Sequence, residues 1–151
     1  MVNILIADQF QEAVDSAALE KAALATLAEQ ESNEDVNLSI VIEGDQQLHT
    51  LNLEFLGVDS PTDVLSFFED ELDPETGQRY LGDVIISYPQ AEKQAATSGH
   101  TPGSELDLLV VHGVLHLLGY DHSTDDEKEK MWQMQKQVLV KIGTDIKKFP
   151  D

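Results

Sequence analysis

The order of apolar and polar residues separates two strands from two helices in the first third of the chain. Residues 2–6 are a short apolar run, which is typical of a buried strand. Residues 36–42 alternate between apolar and polar, the periodicity of a strand with one buried face. Residues 12–29 are alanine-rich, with apolar side chains at helical spacing. A second helix is predicted from Asp45, as its N-cap, to about residue 55.

Two further strands and three helices are predicted in the rest of the chain. The strands are residues 61–67 and 81–87, and the acidic residues 69–80 between them are predicted to be a solvated loop. Such a connection makes the two strands antiparallel. The helices are predicted at residues 89–98, 105–118 and 125–142. We therefore expect one α+β domain over residues 1–151, with a small mixed four-stranded sheet covered by helices.

The helix at residues 105–118 is apolar nearly all round, which predicts that it is buried. Ser104, followed three residues later by an acid, is the predicted cap. His112 and His116 are four residues apart, so their rings project from one face of this helix. Gly119 is suited to end the helix in the left-handed conformation, which lets the chain turn and bring His122 back to that face.

Three converging neutral imidazoles suit a tetrahedral zinc ion with a fourth position open. The chain has no cysteine, so a transition metal would have to be held by histidine and carboxylate. The alternative is a pair of histidines satisfied within a core. The pattern H-x-x-x-H-x-x-G-x-x-H has the spacing of metzincin zinc sites. Gly113 replaces the glutamate that serves metzincins as general base, so the pattern indicates the zinc site without the peptidase machinery.

Charge and hydropathy narrow the possible partners. The formal net charge is −20, and Lys21 is the only basic residue among the first 75, which predicts long-range repulsion of nucleic acid. A local basic or metal-bearing cleft could still bind it, because a bound cation can dominate its surroundings. No apolar stretch approaches the ~20 residues of a membrane span, and the N-terminus shows no signal peptide. We expect a cytoplasmic protein.

Three segments together resemble one family of enzymes. They are "SPTDVLSF", "LGDVIIS" and "HGVLHLLGYDH", the last followed by an acidic "STDDE". In this order they are similar to the YbeY family of bacterial rRNA maturation endoribonucleases. The resemblance implies an α+β fold and one zinc ion per chain, held by His112, His116 and His122. It also implies cleavage of single-stranded RNA in 16S rRNA 3′-end maturation and ribosome quality control. The expected partners are rRNA and the small ribosomal subunit, with neither DNA nor a membrane.

One position departs from the family pattern. Family members usually carry an arginine a few residues before the PTDVLSF segment, and Leu56 stands there in this chain. An arginine fork grips phosphate oxygens bidentately, so its absence predicts a weak nuclease. Arg79 or Lys93 is the expected substitute if Leu56 instead packs against the neighbouring strand.

Two aspartates are the candidate catalytic acids. Asp83 and Asp63, on adjacent predicted strands, are expected nearest the metal, where either could orient a ligand imidazole or move a proton. For Asp83 the alternative is a structural role in the turn after Gly82. Asp121 is expected to hold the turn before His122. His49 and His100 are expected to be ordinary surface residues.

Three functions fit these residues. The first is a zinc-dependent endoribonuclease specific for single-stranded RNA. The second is another zinc hydrolase, a peptidase or amidase, against which Gly113 argues. The third is a non-catalytic ribosome-assembly factor with a structural zinc, which Leu56 favours.

Overall fold

A computed structural model of the protein describes residues 1–30, 35–144 and 146. Within those residues the chain forms four strands, five α-helices and a short 3-10 helix at Asp8–Phe10. The elements in chain order are β1 Val2–Ile6, α1 Ser16–Ala28, β2 Val36–Glu43, α2 Asp45–Leu56, β3 Val64–Leu72, β4 Arg79–Ser87, α3 Tyr88–Ser98, α4 Pro102–Leu117 and α5 Asp125–Ile142. No helix in the described ranges combines the length and the apolar character that crossing a bilayer requires.

The sheet is mixed, and its strands lie in the order β1-β2-β4-β3. β1 pairs with β2 and β2 with β4 in parallel, whereas β3 runs antiparallel to β4. The predicted α+β class, the mixed four-stranded sheet and the antiparallel pair are therefore confirmed. Since β3 is an edge strand, one of its sides is open to whatever lies beside it.

α4 is the central helix of the core. Its residues from Leu106 to Leu117 are almost all buried, as the apolar sequence predicts, and it packs against β3 and β4. The contact is close at Gly113, where a Cβ atom would lie 2.4 Å from Cγ1 of Val84. Ser66 Oγ on β3 also donates a hydrogen bond to the Gly113 carbonyl at 3.1 Å. Glycine is thus required at this position for α4 to approach the sheet.

The starts of α2 and α4 differ from those predicted. α2 is capped by Gly44, and Asp45 is the first helical residue. The Asp45 carboxylate instead accepts hydrogen bonds from Ser87 Oγ at 2.7 Å and Gln90 Nε2 at 3.2 Å. α4 begins at Pro102 rather than residue 105, because the Thr101 side chain caps it by accepting from Ser104 N at 3.1 Å. Proline at the first helical position favours this earlier start.

Two other boundaries also differ from prediction. α1 begins at Ser16 rather than residue 12, with the Asp15 side chain accepting from Ala17 N and Ala18 N at 3.1 and 3.3 Å. Half of the acidic segment predicted as one loop is strand, because β3 continues to Leu72 and β4 begins at Arg79. The loop between the two strands is correspondingly short.

Candidate metal centre

α4 and the turn after it bring three histidines together. The Nε2 atoms of His112 and His116, one helical turn apart, are separated by 3.1 Å. His122 lies on the turn between α4 and α5, with its ring centroid 5.0 Å from that of His116 and 5.7 Å from that of His112. One nitrogen from each imidazole lies within 4.8 Å of the others. The convergence expected from the spacing is therefore present.

Hydrogen bonds at the Nδ1 atoms of His112 and His116 determine which nitrogen of each ring carries the lone pair. His116 Nδ1 lies 3.0 Å from the Tyr120 carbonyl, which can only accept, so Nδ1 is the donor. His112 Nδ1 donates to Oε1 of Gln135 at 2.5 Å. In the neutral rings both Nε2 atoms then carry lone pairs, and these face each other across 3.1 Å. Two acceptors at that distance repel unless a cation lies between them, so this pair fits a metal ion.

The turn that presents His122 is held by Asp121. One carboxylate oxygen accepts from the His122 backbone N–H at 2.7 Å, and the other accepts from Ser123 Oγ at 2.7 Å. Gly119 adopts a φ of +101°, the left-handed region that ends α4 as expected. The next helix is capped by Thr124, whose Oγ1 accepts from Glu127 N at 3.2 Å. These contacts place His122, an exposed residue, opposite the two half-buried histidines of α4.

Burial keeps the α4 histidines neutral. It lowers the pKa of His112 to about 4, an effect that the neighbouring His116 reinforces. Burial also lowers the pKa of His116, and repulsion from the positive form of His122 is the next cause. Only unprotonated imidazole can ligate a metal, so both shifts favour metal binding at neutral pH.

The three histidines line a cleft of about 750 Å³ bounded by the edge strand β3, the end of α4 and the start of α5. Asp63, just before β3, also lines this cleft. Its Oδ1 accepts from Val64 N at 2.8 Å and from Thr62 Oγ1 at 3.3 Å. The structure thus brings Asp63 to the cavity that holds the histidines.

Asp83 lies elsewhere. Its neighbour Val84 faces Gly113 of α4, and successive side chains of a strand point to opposite faces of the sheet. The Asp83 carboxylate therefore lies on the face away from the histidines, where it accepts a hydrogen bond from the Tyr80 hydroxyl. Burial, with this hydrogen bond as the next cause, raises the pKa of Tyr80 to about 12. The structure does not bring Asp83 to the metal centre.

The three candidate phosphate-binding positions have different surroundings. Leu56 is 62% exposed and lines the cleft that holds the three histidines. It is therefore not packed against the neighbouring strand, which was the alternative considered for it. Arg79 lines an adjoining recess that also touches His116, and its guanidinium donates to Asp70. Lys93 is exposed on α3 and is not among the described residues that line either cavity.

The prediction that His100 is a surface residue was wrong. Its side chain is 2% exposed, and Nε2 lies 2.5 Å from Oε1 of Glu105, itself 3% exposed. Burial raises the pKa of Glu105, and the hydrogen bond from His100 opposes that shift. A glutamate on an otherwise apolar helix was the signal that a buried partner existed. His49 lies at the surface as predicted, with its side chain 41% exposed and Nε2 2.7 Å from Oδ1 of Asp59.

Sequence reasoning also missed two residues of α5 beside the metal centre. Gln135 is fully buried and orients His112. Trp132 lies edge-on to two imidazoles, with centroid distances of 5.9 Å to His112 and 5.8 Å to His122. A glutamine on the apolar stripe of α5, between Met131 and Val138, was the available signal for the first of these.

A family profile and individual relatives both point to one family. The profile of the family described as Endoribonuclease YbeY matches residues 5–143. The Endoribonuclease YbeY of Chloroflexus aurantiacus is 45% identical over 135 residues, covering 85% of this chain and 88% of that protein. The Endoribonuclease YbeY of Roseiflexus castenholzii is 40% identical over 144 residues, covering 93% of this chain and 91% of that protein. The solution structure of TM1509 from Thermotoga maritima superposes with a TM-score of 0.64 at 28% identity, covering 94% of this chain and 89% of that one.

Proposed function

The chain belongs to the Endoribonuclease YbeY family, and on that premise we propose that it is a zinc-dependent endoribonuclease that cuts single-stranded RNA. The observation that best supports zinc binding is the pair of unprotonated Nε2 atoms on His112 and His116, which lie 3.1 Å apart. Zinc–nitrogen bonds of ~2.0–2.1 Å place two ligands of a tetrahedral ion about 3.3 Å apart. His122 supplies the third ligand, so one ion per chain is expected.

The open cleft supports a catalytic rather than a structural ion. Structural zinc sites are closed by four protein ligands, whereas catalytic sites keep a position for water or substrate. Three histidines beside a cavity of about 750 Å³ match the second arrangement. When bound, the ion supplies Lewis acidity toward a phosphoryl oxygen and toward water. The α4 histidines hold it there through neutral nitrogens that burial keeps unprotonated.

Asp63 is the carboxylate we propose for proton transfer at the cleft. It lines the same cavity as the histidines, and its hydrogen bonds with Val64 N and Thr62 fix the carboxyl group. Asp83 shared this role in the sequence prediction. Its position on the opposite face supports instead a structural role with Tyr80.

The substrate and setting rest on the family resemblance. We propose rRNA as the substrate, in 16S rRNA 3′-end maturation and ribosome quality control, with the small ribosomal subunit as partner in the cytoplasm. Residues 1–151 would act as a single metal-dependent hydrolase domain. A peptidase of metzincin type is disfavoured, because Gly113 leaves no room for the glutamate such enzymes use.

The deciding experiment incubates purified protein with single-stranded RNA, duplex RNA and casein, with zinc or a chelator. His116→Ala is the inactive variant, and His49→Ala, at a surface histidine paired with Asp59, is its control. We expect zinc-dependent cleavage of the single strand that His116→Ala abolishes and His49→Ala retains. Casein hydrolysis lost in His116→Ala would favour the peptidase instead. Zinc binding without any cleavage would favour the assembly factor.

A further inference from the structure

Trp132 lies between the metal cleft and a second recess on α5. It lines the cleft of about 750 Å³ with the histidines, and it lines a neighbouring recess of about 440 Å³. Lys128 and Lys136 line that second recess, four residues before and after the tryptophan. Residues spaced by four lie on one face of a helix. These three residues, the α5 platform, thus form a continuous surface next to the metal centre.

The platform combines an aromatic face with cations, the two features that bind single-stranded nucleic acid without sequence preference. The Lys128 ammonium lies 5.7 Å from the centroid of the Trp132 ring. The chain has only nine basic residues and a net charge of −20, yet two of them flank its single tryptophan. Asp125 and Glu129 also line the recess, so these lysines are needed to offset their repulsion of phosphate.

We propose that the α5 platform binds the nucleotide adjoining the one whose phosphate is cut, with its base on Trp132 and its phosphates at Lys128 and Lys136. The ring of Trp132 lies less than 6 Å from two of the three imidazoles. A base stacked there therefore belongs to the neighbouring nucleotide of a strand that crosses the metal centre. This inference rests on the proposed function, because it takes single-stranded RNA as the substrate.

A direct test uses intrinsic fluorescence, since the one tryptophan of the chain is in the platform. The zinc-loaded protein is titrated with a six-nucleotide 2′-O-methyl oligouridylate and with an abasic strand of the same length. The titration is repeated on chelator-treated protein, and anisotropy of the labelled strand reports binding independently. We expect the base-bearing strand to change the emission, and the abasic strand to leave it unchanged and to bind more weakly.

Variants separate stacking from charge. Trp132→Leu should weaken binding of the oligouridylate about 5- to 150-fold, the range for loss of one stacked base, and Trp132→Phe should retain most of it. Lys128→Ala/Lys136→Ala should lower the slope of log affinity against log salt by about 1.4, at ~0.7 per phosphate contact of a single strand. Lys130→Ala/Lys93→Ala removes the same charge from exposed positions outside the recess and should leave the slope unchanged.

The outcomes distinguish failure of the α5 platform from failure of the proposed nuclease function. Binding by anisotropy with unchanged emission, together with equal salt slopes for the two double variants, would overturn the platform and leave the nuclease intact. Neither binding nor cleavage by the wild type would overturn both. If Trp132→Leu loses zinc or fails to fold, the salt slopes still decide, because none of the four lysines is buried.

Discussion

Gln135 on α5 accepts a hydrogen bond from Nδ1 of His112 on α4, at 2.5 Å. α5 therefore contributes to the metal centre without offering a ligand, because this bond fixes which nitrogen of His112 carries the proton. Gln135 is fully buried, and its amide nitrogen has no hydrogen-bond partner in the described part of the chain. The glutamine thus holds His112 through its oxygen alone.

We expect Gln135→Leu to weaken zinc binding by about 10- to 100-fold, the usual effect of removing a partner of a ligating histidine. Gln135→Glu should retain zinc, since a carboxylate also accepts from Nδ1. Gln137→Leu, on an exposed position two residues further along α5, is the control. Chelator competition gives the affinities. Equal affinities for Gln135→Leu and Gln137→Leu would contradict this role.

The three histidines should differ in how their loss affects the metal-free protein. His112→Ala, His116→Ala and His122→Ala should each abolish stoichiometric zinc and the rise in melting temperature that zinc produces. Without zinc, His122→Ala should melt close to the wild type because this residue is exposed, whereas His112→Ala opens a hole beside buried Gln135. Elemental analysis and calorimetry test both points. Full zinc occupancy in any of the three variants would count against the assignment.

Acid should destabilise the metal-free protein through His112. Its folded pKa is about 4, against ~6.5 in an unfolded chain. Between these values the unfolded chain binds a proton that the folded protein does not. The contribution of His112 is therefore complete above the unfolded pKa and is lost as pH falls toward 4. Urea unfolding of the wild type and His112→Gln over this range measures it. As the pH falls, the free energy of unfolding should decrease more steeply for the wild type than for His112→Gln. Parallel curves of free energy against pH would refute a lowered pKa of His112 in the folded protein.

Gly113 should not tolerate a side chain. Gly113→Ala places Cβ 2.4 Å from Val84 Cγ1, so we expect a loss of about 1–3 kcal/mol in the free energy of unfolding. Gly113→Ala/Val84→Ala should lose less than the sum of the single variants, because the second change removes the clash. Urea denaturation of the four proteins provides the cycle. Additive losses would show that the contact with Val84 is not what makes a side chain at position 113 unfavourable.

Leu56 offers a site at which nuclease activity could be raised. Its 62% exposure and its place in the metal cleft mean that Leu56→Arg can present a phosphate donor with little change in stability. We expect single-turnover cleavage of single-stranded RNA to rise, by at most ~100-fold. Lys93→Ala should leave cleavage unchanged. If Leu56→Arg brings no gain while Arg79→Ala abolishes cleavage, Arg79 is the phosphate contact instead.

The sequence sufficed for the four strands, for buried α4 and for the meeting of its histidines with His122, because all three depend on local spacing. The order of the strands in the sheet depends on long-range pairing and was not predicted. The face of the sheet on which the Asp83 side chain lies could not be predicted from local spacing. Val84 and Ile85 are both apolar, so alternation along β4 does not tell which of them meets α4. The start of α4 was ambiguous for a similar reason, since Thr101 and Ser104 are both good caps and only the proline between them favours the first.

His100 and Gln135 lay beyond sequence reasoning because their partners are supplied by tertiary packing. His100 is buried only because the turn before α4 folds back onto Glu105. Gln135 meets His112 across 23 positions of sequence, and no periodicity within α5 identifies that contact. Polar residues at apolar positions of a helix were the only indication that such partners existed.

The unequal attachment of the three histidines bears on how quickly an ion can be exchanged. The His112 ring is hydrogen-bonded to buried Gln135, and the His116 ring to the carbonyl of Tyr120, whose side chain packs against the core. His122 instead lies on an exposed stretch of the turn held by Asp121. A metal ion bound by these residues could then leave once the His122 imidazole alone moved away, while those of His112 and His116 kept their places. Release should follow the local motion of that turn and precede any unfolding of α4. A competing metal could therefore replace the resident one in a protein that stays folded throughout.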